Sequence, residues 1–446
     1  MTSNSNLERK LGLFPVVNIV VANVVGAGIF TTTGYLMGFL GSAWLMLVLW
    51  VVGGIIALCG ALSYGELGAN YPEAGGDYTF ITKLFHPLPG FLSGWLSLIV
   101  GFSAPIAASA IGFSKYFIWA FPQIQSWTLI SPAILGKVLA ILIILTFTFI
   151  HYRGIILGSK VQNFLTLLKI TLIVGLIVAG FSIGQGSFDQ LTGQSLFQGE
   201  FKGWKPIGLS LLFIMFAYSG WNSATYIGSE IKNPAKTIPR SLLISTGIIV
   251  VLYFLLNLFF IYAIPPGKMM NEPEVGGLAA GLAFGRTAEA VISLLISFAL
   301  FSSLSSSIIL GPRVYYSMAK QGYFFKFAAN IHSRFGVPSA SVLLQGLLAV
   351  IMVMSGTFEQ ILIYMGFSLG IFPIVAVLGM MKLRQSGKSI LKMPGYPYVQ
   401  LIFIAAGIMM LTLSYLERPV ESLIAILTVF SGIPFYYWFK RKRERL

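Results

Sequence analysis

The sequence holds 446 residues, of which 56% are hydrophobic and only 10% charged, against about 25% charged in ordinary soluble domains. A water-soluble core cannot hide that much apolar surface, so the composition points to a chain threaded repeatedly through a bilayer. The formal charge of +15 would suit nucleic acid if it formed one basic face, but the Lys and Arg residues lie in short loops between apolar runs, which excludes that reading.

Residues 1–12 form a polar N-terminal segment, charged through Lys10. The apolar run that follows is too long for a signal-peptide core and lacks a small-residue cleavage site, so it reads as a retained first helix. A spanning helix needs about 20 mostly apolar residues. On that rule the chain predicts about twelve helices, at 13–39, 43–69, 88–119, 132–150, 159–182, 205–229, 239–263, 284–318, 338–355, 358–384, 396–416 and 419–439. The third and eighth runs are long enough to tilt or to enter the interface.

An even number of spans puts both ends on one side. The tail Lys440, Arg441, Lys442, Arg443 and Arg445 makes that side cytoplasmic by the positive-inside rule. The alternate loops agree: Arg153, Lys160, Lys232, Lys236, Arg240, Lys320, Lys326, Arg334, Lys382, Arg384, Lys388 and Lys392 fall inside, and only Lys202, Lys205, Lys268, Arg286 and Arg418 outside. Trp119, Trp127, Tyr436, Tyr437 and Trp438 fit interfacial belts. The lone cysteine, Cys59, sits in an apolar run and reads as a small buried hydrophobe. No Cys/His spacing suggests a metal, and no cofactor is expected.

Glycine interrupts the first and sixth helices near mid-span, at Val25-Gly26-Ala27-Gly28 and at Phe216-Ala217-Tyr218-Ser219-Gly220-Trp221-Asn222. Interrupted helices at matching places in two halves point to a transporter's binding site. Unwinding frees amides and carbonyls that hydrocarbon cannot satisfy, and a zwitterionic amino acid supplies both partners. Its carboxylate suits the amides around Ala27 and Gly28, at the positive end of a half-helix. Its ammonium suits carbonyls near Val25, Phe216, Ala217 and Ser219. Glycine is also common in packed membrane helices, and Gly34 and Gly38 read as packing positions.

At these residues the sequence resembles the amino acid–polyamine–organocation superfamily, and especially the L-type amino acid transporters and their bacterial relatives. Gly26-Ala27-Gly28-Ile29-Phe30 is similar to the family's Gly-Ser-Gly-Ile-Phe, and Phe216 through Asn222 to its Phe-Ala-Tyr-x-Gly-Trp-Asn. Tyr64-Gly65-Glu66-Leu67-Gly68 with Gly75-Gly76-Asp77-Tyr78, Glu230-Ile231-Lys232-Asn233-Pro234 with Ile238-Pro239-Arg240, and Gly311-Pro312-Arg313-Val314-Tyr315 with Met318-Ala319-Lys320 continue the series. The resemblance implies an all-α integral membrane fold of leucine-transporter type. In it 13–182 and 205–384 are inverted five-helix repeats joined by the extracellular loop 183–204, and 385–446 carries helices 11 and 12 and the basic tail. It implies alternating access, with Phe216 as an aromatic gate and Asn222 holding the substrate or the broken helix. Ala27 replaces the family serine, Thr33 stands where proline is frequent, and Ala22-Asn23 replaces a Gly-Thr. Asn23 reads either as a substrate contact or as a helix-to-helix hydrogen bond. The outer-loop cysteine through which eukaryotic L-type transporters join a glycoprotein is missing from 120–131, so no disulfide-linked heavy chain is expected.

Lys169 lies about 15 Å into the fifth helix, and an intramembrane lysine is a functional candidate by default. Phe164-Leu165-Thr166-Leu167-Leu168-Lys169 resembles the family's Phe-Thr-x-x-Lys with one extra residue. That resemblance implies an ammonium where sodium-coupled relatives hold a cation, received by the serines at 302, 303 and 305–307. Sodium-independent exchange and proton-coupled uptake both remain open for it. The other ionisable groups read as interfacial: Lys115, Lys137 and Glu289 near outer ends, Glu66 and Arg313 near inner ones, and His86, His151 and His332 in cytoplasmic loops.

Gly366-Phe367-Ser368-Leu369-Gly370 matches a hydrolase elbow, but it lies in an apolar helix without a nearby histidine, so an enzyme is not expected. No Asp or Glu is evident near the breaks to pair a cationic side chain. Asn23, Ser103, Ser109, Ser219, Asn222 and Ser368 supply polar lining, which favours neutral amino acids over cationic amino acids or polyamines. A non-transporting membrane receptor is the reading from a different class.

Overall fold

The computed structural model describes residues 7–121, 123–124, 130–188, 191, 203–355 and 358–444. Trp127, Lys202 and Arg445, invoked above, lie outside them. Among the described residues every regular element is a helix. Ten segments are long and apolar enough to cross a membrane: Leu13–Leu40, Ala43–Asn70, Pro87–Ala120, Pro132–Tyr152, Leu157–Ile183, Trp204–Glu230, Pro234–Ala263, Arg286–Lys320, Tyr398–Glu417 and Pro419–Glu444. Helices Ser339–Ser355 and Phe358–Gln385 complete twelve, numbered here as spans 1 to 12 in chain order. Shorter helices lie between spans, among them Asp77–Leu84 and Val275–Phe284.

The bundle sorts by burial. In spans 1, 3, 6 and 8, 72% of the most apolar stretch is buried, against 28% in spans 4 and 11. The first four therefore form the protein interior. The last two face outward through side chains such as Leu142, Phe149, Leu401 and Ile408, as lipid-facing helices do. Span 8 packs along span 3, and span 7 along span 2.

Span 1 is two helices, Leu13–Val24 and Ala27–Leu40, separated at Val25 and Gly26. Span 6 is helix Trp204–Tyr218, a non-helical turn, and a 3₁₀ segment Ser223–Glu230. The turn needs Gly220, whose φ of +97° strains any residue with a Cβ. Span 3, expected as one helix over 88–119, is interrupted too. Helix Pro87–Leu96 passes into a π-helical turn at Ser97–Gly101 before resuming at Ser103. There the Phe102 amide bonds the Ser97 carbonyl at 3.2 Å, and Ser103 Oγ takes the carbonyl of Leu98 at 2.8 Å. One inserted residue thus leaves its freed carbonyl paired.

Three groups expected at interfaces or in loops are buried instead. Glu66 is held by Arg384 (3.0 and 2.7 Å), Ser389 Oγ (2.8 Å) and the Met393 amide (2.9 Å). Arg313 makes a two-pronged pair with Glu230 (2.9 and 3.1 Å), each about 3% exposed. His151 is not in a loop: it closes span 4 and shares a 2.8 Å hydrogen bond with Ser305. The chain reverses at Gly154 and lays Gly158 against the imidazole ring.

On the face of the bundle bearing Leu7 and Glu444, called the terminal face, the segment before span 1 is tied to the end of span 6. Leu11 pairs with Ile231 as a one-residue parallel bridge, and the Lys10 and Leu11 amides both donate to the Glu230 carbonyl at 2.8 Å. At the opposite face, the Asn271 amide donates to the Gly34 carbonyl at 2.9 Å, and Thr33 Oγ1 to Asn257 Oδ1 at 2.7 Å.

Candidate functional site at the two helix breaks

The breaks in spans 1 and 6 meet at the centre of the bundle. Gly28 abuts the end of the first half of span 6: a Cβ there would lie 2.8 Å from Ala217 Cα and 3.1 Å from Phe216 Cε1. Only glycine allows that approach. Between the breaks lies a cleft of about 340 Å³ of empty space, lined by Asn23, Gly26, Ala27, Gly28, Ser109, Phe216, Ala217, Ser219, Ser303 and Ser307 among others. It adjoins a larger cavity of about 1200 Å³ that runs past Asn222, Tyr226 and Asp77 to spans 10 and 11. Asn23, Phe216, Ser219 and Ser307 line both, so the Phe216 ring stands between the two chambers.

Of the residues singled out in the sequence, Gly26, Ala27, Gly28, Phe216, Ala217 and Ser219 line the cleft and Asn222 the larger cavity. Val25 and Lys169 line neither and sit behind the wall. Ser109 and Ser219 also face the cleft, and Ser368 faces the larger cavity. Ser103 lines neither, since Gln345 Nε2 donates to it at 2.7 Å and its hydroxyl is turned to Leu98.

The second half of span 1 starts at Ala27 with no side chain capping it. The first amides of a helix have no intrahelical acceptor and carry its positive dipole end. Here they open on the cleft, which is a geometry for receiving an anionic group.

The carbonyl side is more occupied than the sequence suggests. Lys169, fully buried, donates to the carbonyls of Ala22 (3.2 Å) and Val25 and to Ser303 Oγ (2.9 Å). Ser303 Oγ in turn reaches the same two carbonyls at 3.0 and 2.7 Å. The ammonium therefore fastens span 5 to the frayed end of span 1 through span 8. Ser306 and Ser307 extend the fastening, to the Ile19 carbonyl and to Asn23 Oδ1, both at 3.1 Å. Asn23 also donates to Ser223 Oγ at 2.7 Å, so it bridges helices and lines the cleft at once.

Two participants were not apparent from sequence. Tyr253, on span 7, directs its hydroxyl at the carbonyls of Val24 (2.9 Å) and Ala217 (3.0 Å), one from each break. Asp77, at the start of the short helix before span 3, brings a carboxylate into the larger cavity, contrary to the expectation of no acid near the breaks. Tyr64 Oη donates to its Oδ1 and Tyr226 Oη to its Oδ2 at 3.1 Å, while Asn222 Nδ2 donates to Tyr226 Oη at 3.3 Å. Burial pushes the Asp77 carboxyl up to about 6, and the two tyrosine hydroxyls partly offset that.

Comparison with known proteins identifies the family. The pattern that defines the family described as amino acid permease matches residues 11–434. The chain is 26% identical over 438 residues to the b(0,+)-type amino acid transporter 1 of Mus musculus, covering 98% of this chain and 88% of that protein. It is similar to the cystine/glutamate transporter of Homo sapiens (28% identical, 97% and 85% covered). It is also similar to the serine/threonine exchanger SteT of Bacillus subtilis (strain 168) (27% identical, 99% of each chain). All three are named as transporters or exchangers.

Proposed function

The chain belongs to the amino acid permease family, and from that membership we propose that it exchanges neutral L-amino acids across the bacterial inner membrane by alternating access, without sodium. The observation that carries this reading is the cleft in which uncapped amides at Ala27 and Gly28 face the turn after Phe216. The substrate carboxylate takes the amides. The ammonium takes carbonyls at the span 6 break, at Phe216, Ala217 and Ser219, because that of Val25 already receives two donors, Lys169 and Ser303, while those of Phe216 and Ala217 keep acceptor capacity beyond the Ser219 amide and the Tyr253 hydroxyl. The cleft bears serine and asparagine rather than carboxylates, which favours neutral over cationic side chains. Phe216 closes it as a gate.

In this reading Lys169 is the coupling element: a resident ammonium ties span 1 to spans 5 and 8 where a transported cation would otherwise be required. The repeats 13–182 and 205–384 rock about the cleft, with spans 11 and 12 in 385–446 outside the moving core. Both termini are cytoplasmic, because the basic residues crowd the terminal face. No disulfide-bonded partner is part of the proposal, as the single cysteine lies within span 2.

The test is flux. Purified protein in liposomes is assayed for uptake of labelled alanine, leucine and arginine, with and without internal amino acid, sodium or a pH gradient. The proposal expects uptake that needs internal amino acid, ignores sodium and falls at least about tenfold in Lys169→Ala. Uptake driven by inward protons alone would replace exchange with symport, preferred uptake of arginine would replace the neutral class with a cationic one, and no flux from folded protein would favour a receptor.

A further inference from the structure

The larger cavity contains a carboxylate that the exchange of neutral amino acids does not use. Glu66 and Glu230, the other buried acids of the terminal half, are each matched to an arginine. Asp77 is about 6% exposed and receives only the neutral hydroxyls of Tyr64 and Tyr226; among the described residues it has no ion pair. A buried carboxylate with no counter-charge is costly, and each of its oxygens keeps acceptor capacity beyond the tyrosine bonds.

Its surroundings suit a cation. Tyr226, Phe102 and Trp221 line the same cavity. The Phe102 and Tyr226 rings meet edge-on at 5.2 Å, and Trp221 meets Tyr64, the other hydroxyl donor, at 4.8 Å. Aromatic rings lining the same cavity as a carboxylate offer recognition chemistry for ammonium groups. Ser368 on span 10 adds a free polar group: its hydroxyl is buried, lines this cavity and has no hydrogen-bond partner among the described residues. Asn222, on the wall of the same cavity, connects to Asp77 through Tyr226 in two hydrogen bonds.

We propose that Asp77, framed by Tyr226, Phe102 and Trp221, is a second ligand site on the terminal side of the cleft, and that it binds an alkylammonium group. The site holds the ammonium of an amino acid passing to or from the terminal face, or the second ammonium of a diamino acid. This rests on the transport reading only for the ligand's route; the site itself is defined by its own residues.

The probe is n-butylammonium, which has no carboxylate for the amides of span 1. Binding is measured on the purified full chain by calorimetry or by displacement of labelled amino acid. Wild-type protein is expected to bind it and Asp77→Asn to bind it at least about tenfold more weakly, with Gly28→Ala, which lines the cleft and not the larger cavity, as the variant that alters the cleft instead. Lysine and norleucine separate the two sources: a loss for lysine alone assigns the site to a side-chain ammonium, and an equal loss for both assigns it to the α-ammonium.

Thermal melting guards against a trivial unfolding effect. Asp77 is held protonated above its ordinary range, so the fold loses stability as pH rises from about 4 to about 6 while the carboxyl ionises. Asp77→Asn should therefore melt above wild type at pH 8, with the gap narrowing towards pH 5; a purely structural aspartate would give a variant that melts lower at pH 8. Wild type that fails to bind n-butylammonium while still binding amino acids overturns the inference alone. Asp77-dependent amine binding without any amino acid flux would overturn the transport reading and leave this site standing.

Discussion

Replacing Gly28 by alanine places one methyl group against the backbone of the opposing broken helix. Its Cβ would lie 2.8 Å from Ala217 Cα and 2.9 Å from Ala217 Cβ, so the two breaks must separate by roughly 0.6–1.2 Å to reach ordinary contact. The nearest atoms cannot rotate away, because they belong to the main chain and a one-carbon side chain. Overpacking of this kind costs about 1–3 kcal/mol, which corresponds to a loss of about 5- to 150-fold in affinity if it falls on the closed, substrate-holding geometry. Gly26 is the control, two residues away on the same break. A Cβ there meets Ser303 Oγ at 3.2 Å, a side-chain atom that need shift only a few tenths of an ångström while keeping its bonds to Lys169 and Val25, so Gly26→Ala should cost less than about fivefold. The assay is equilibrium binding of a labelled neutral amino acid to purified protein, with melting temperature recorded in parallel. Gly28→Ala binding within about twofold of wild type, or Gly26→Ala proving the more damaging, would refute the argument that the two breaks must touch to hold substrate.

Three other changes have defined outcomes. Tyr253→Phe removes the hydroxyl shared by the Val24 and Ala217 carbonyls; leaving buried acceptors short of a donor costs about 1–3 kcal/mol, read as lower thermal stability together with slower exchange in liposomes. Ala27→Ser restores a hydroxyl beside the uncapped amides and should lower the KM for neutral amino acids severalfold, since one added hydrogen bond contributes about 1 kcal/mol; an unchanged or higher KM would place the carboxylate elsewhere. Glu230→Gln leaves Arg313 buried without its partner, with an expected loss of about 3–5 kcal/mol in the melting of purified protein. A double replacement of both by methionine should recover much of that stability.

The spans were legible because hydropathy is local: a run of apolar residues is recognisable without knowing what it packs against. The two central breaks were legible for a related reason. Glycine pairs inside an apolar run have few alternatives at mid-membrane, where irregular backbone survives only along a protein-lined cavity. Their partners were not legible. Tyr253 reaches carbonyls on two other spans, and nothing in its own neighbourhood distinguishes it from a packing tyrosine. The π-helical turn in span 3 inserts one residue into an otherwise regular run, so the hydropathy pattern barely registers it. Asp77 sits in a loop by sequence, and only the packing of the short helix Asp77–Leu84 against spans 3 and 10, with Tyr226 of span 6 donating to it, turns its carboxylate into the cavity. Glu66, Arg313 and His151 read as interfacial or loop groups for the same reason: their partners Arg384, Glu230 and Ser305 are distant in sequence, so the pairing exists only in three dimensions.

The claim that the two breaks together hold the substrate is tested most directly by determining the structure with a neutral amino acid bound. The account predicts the carboxylate within hydrogen-bond distance, about 2.7–3.2 Å, of the Ala27 and Gly28 amides, the ammonium on the span 6 turn at Phe216–Ser219, and the Phe216 ring over the ligand. An amino acid bound outside the cleft, with those amides unengaged, would contradict it.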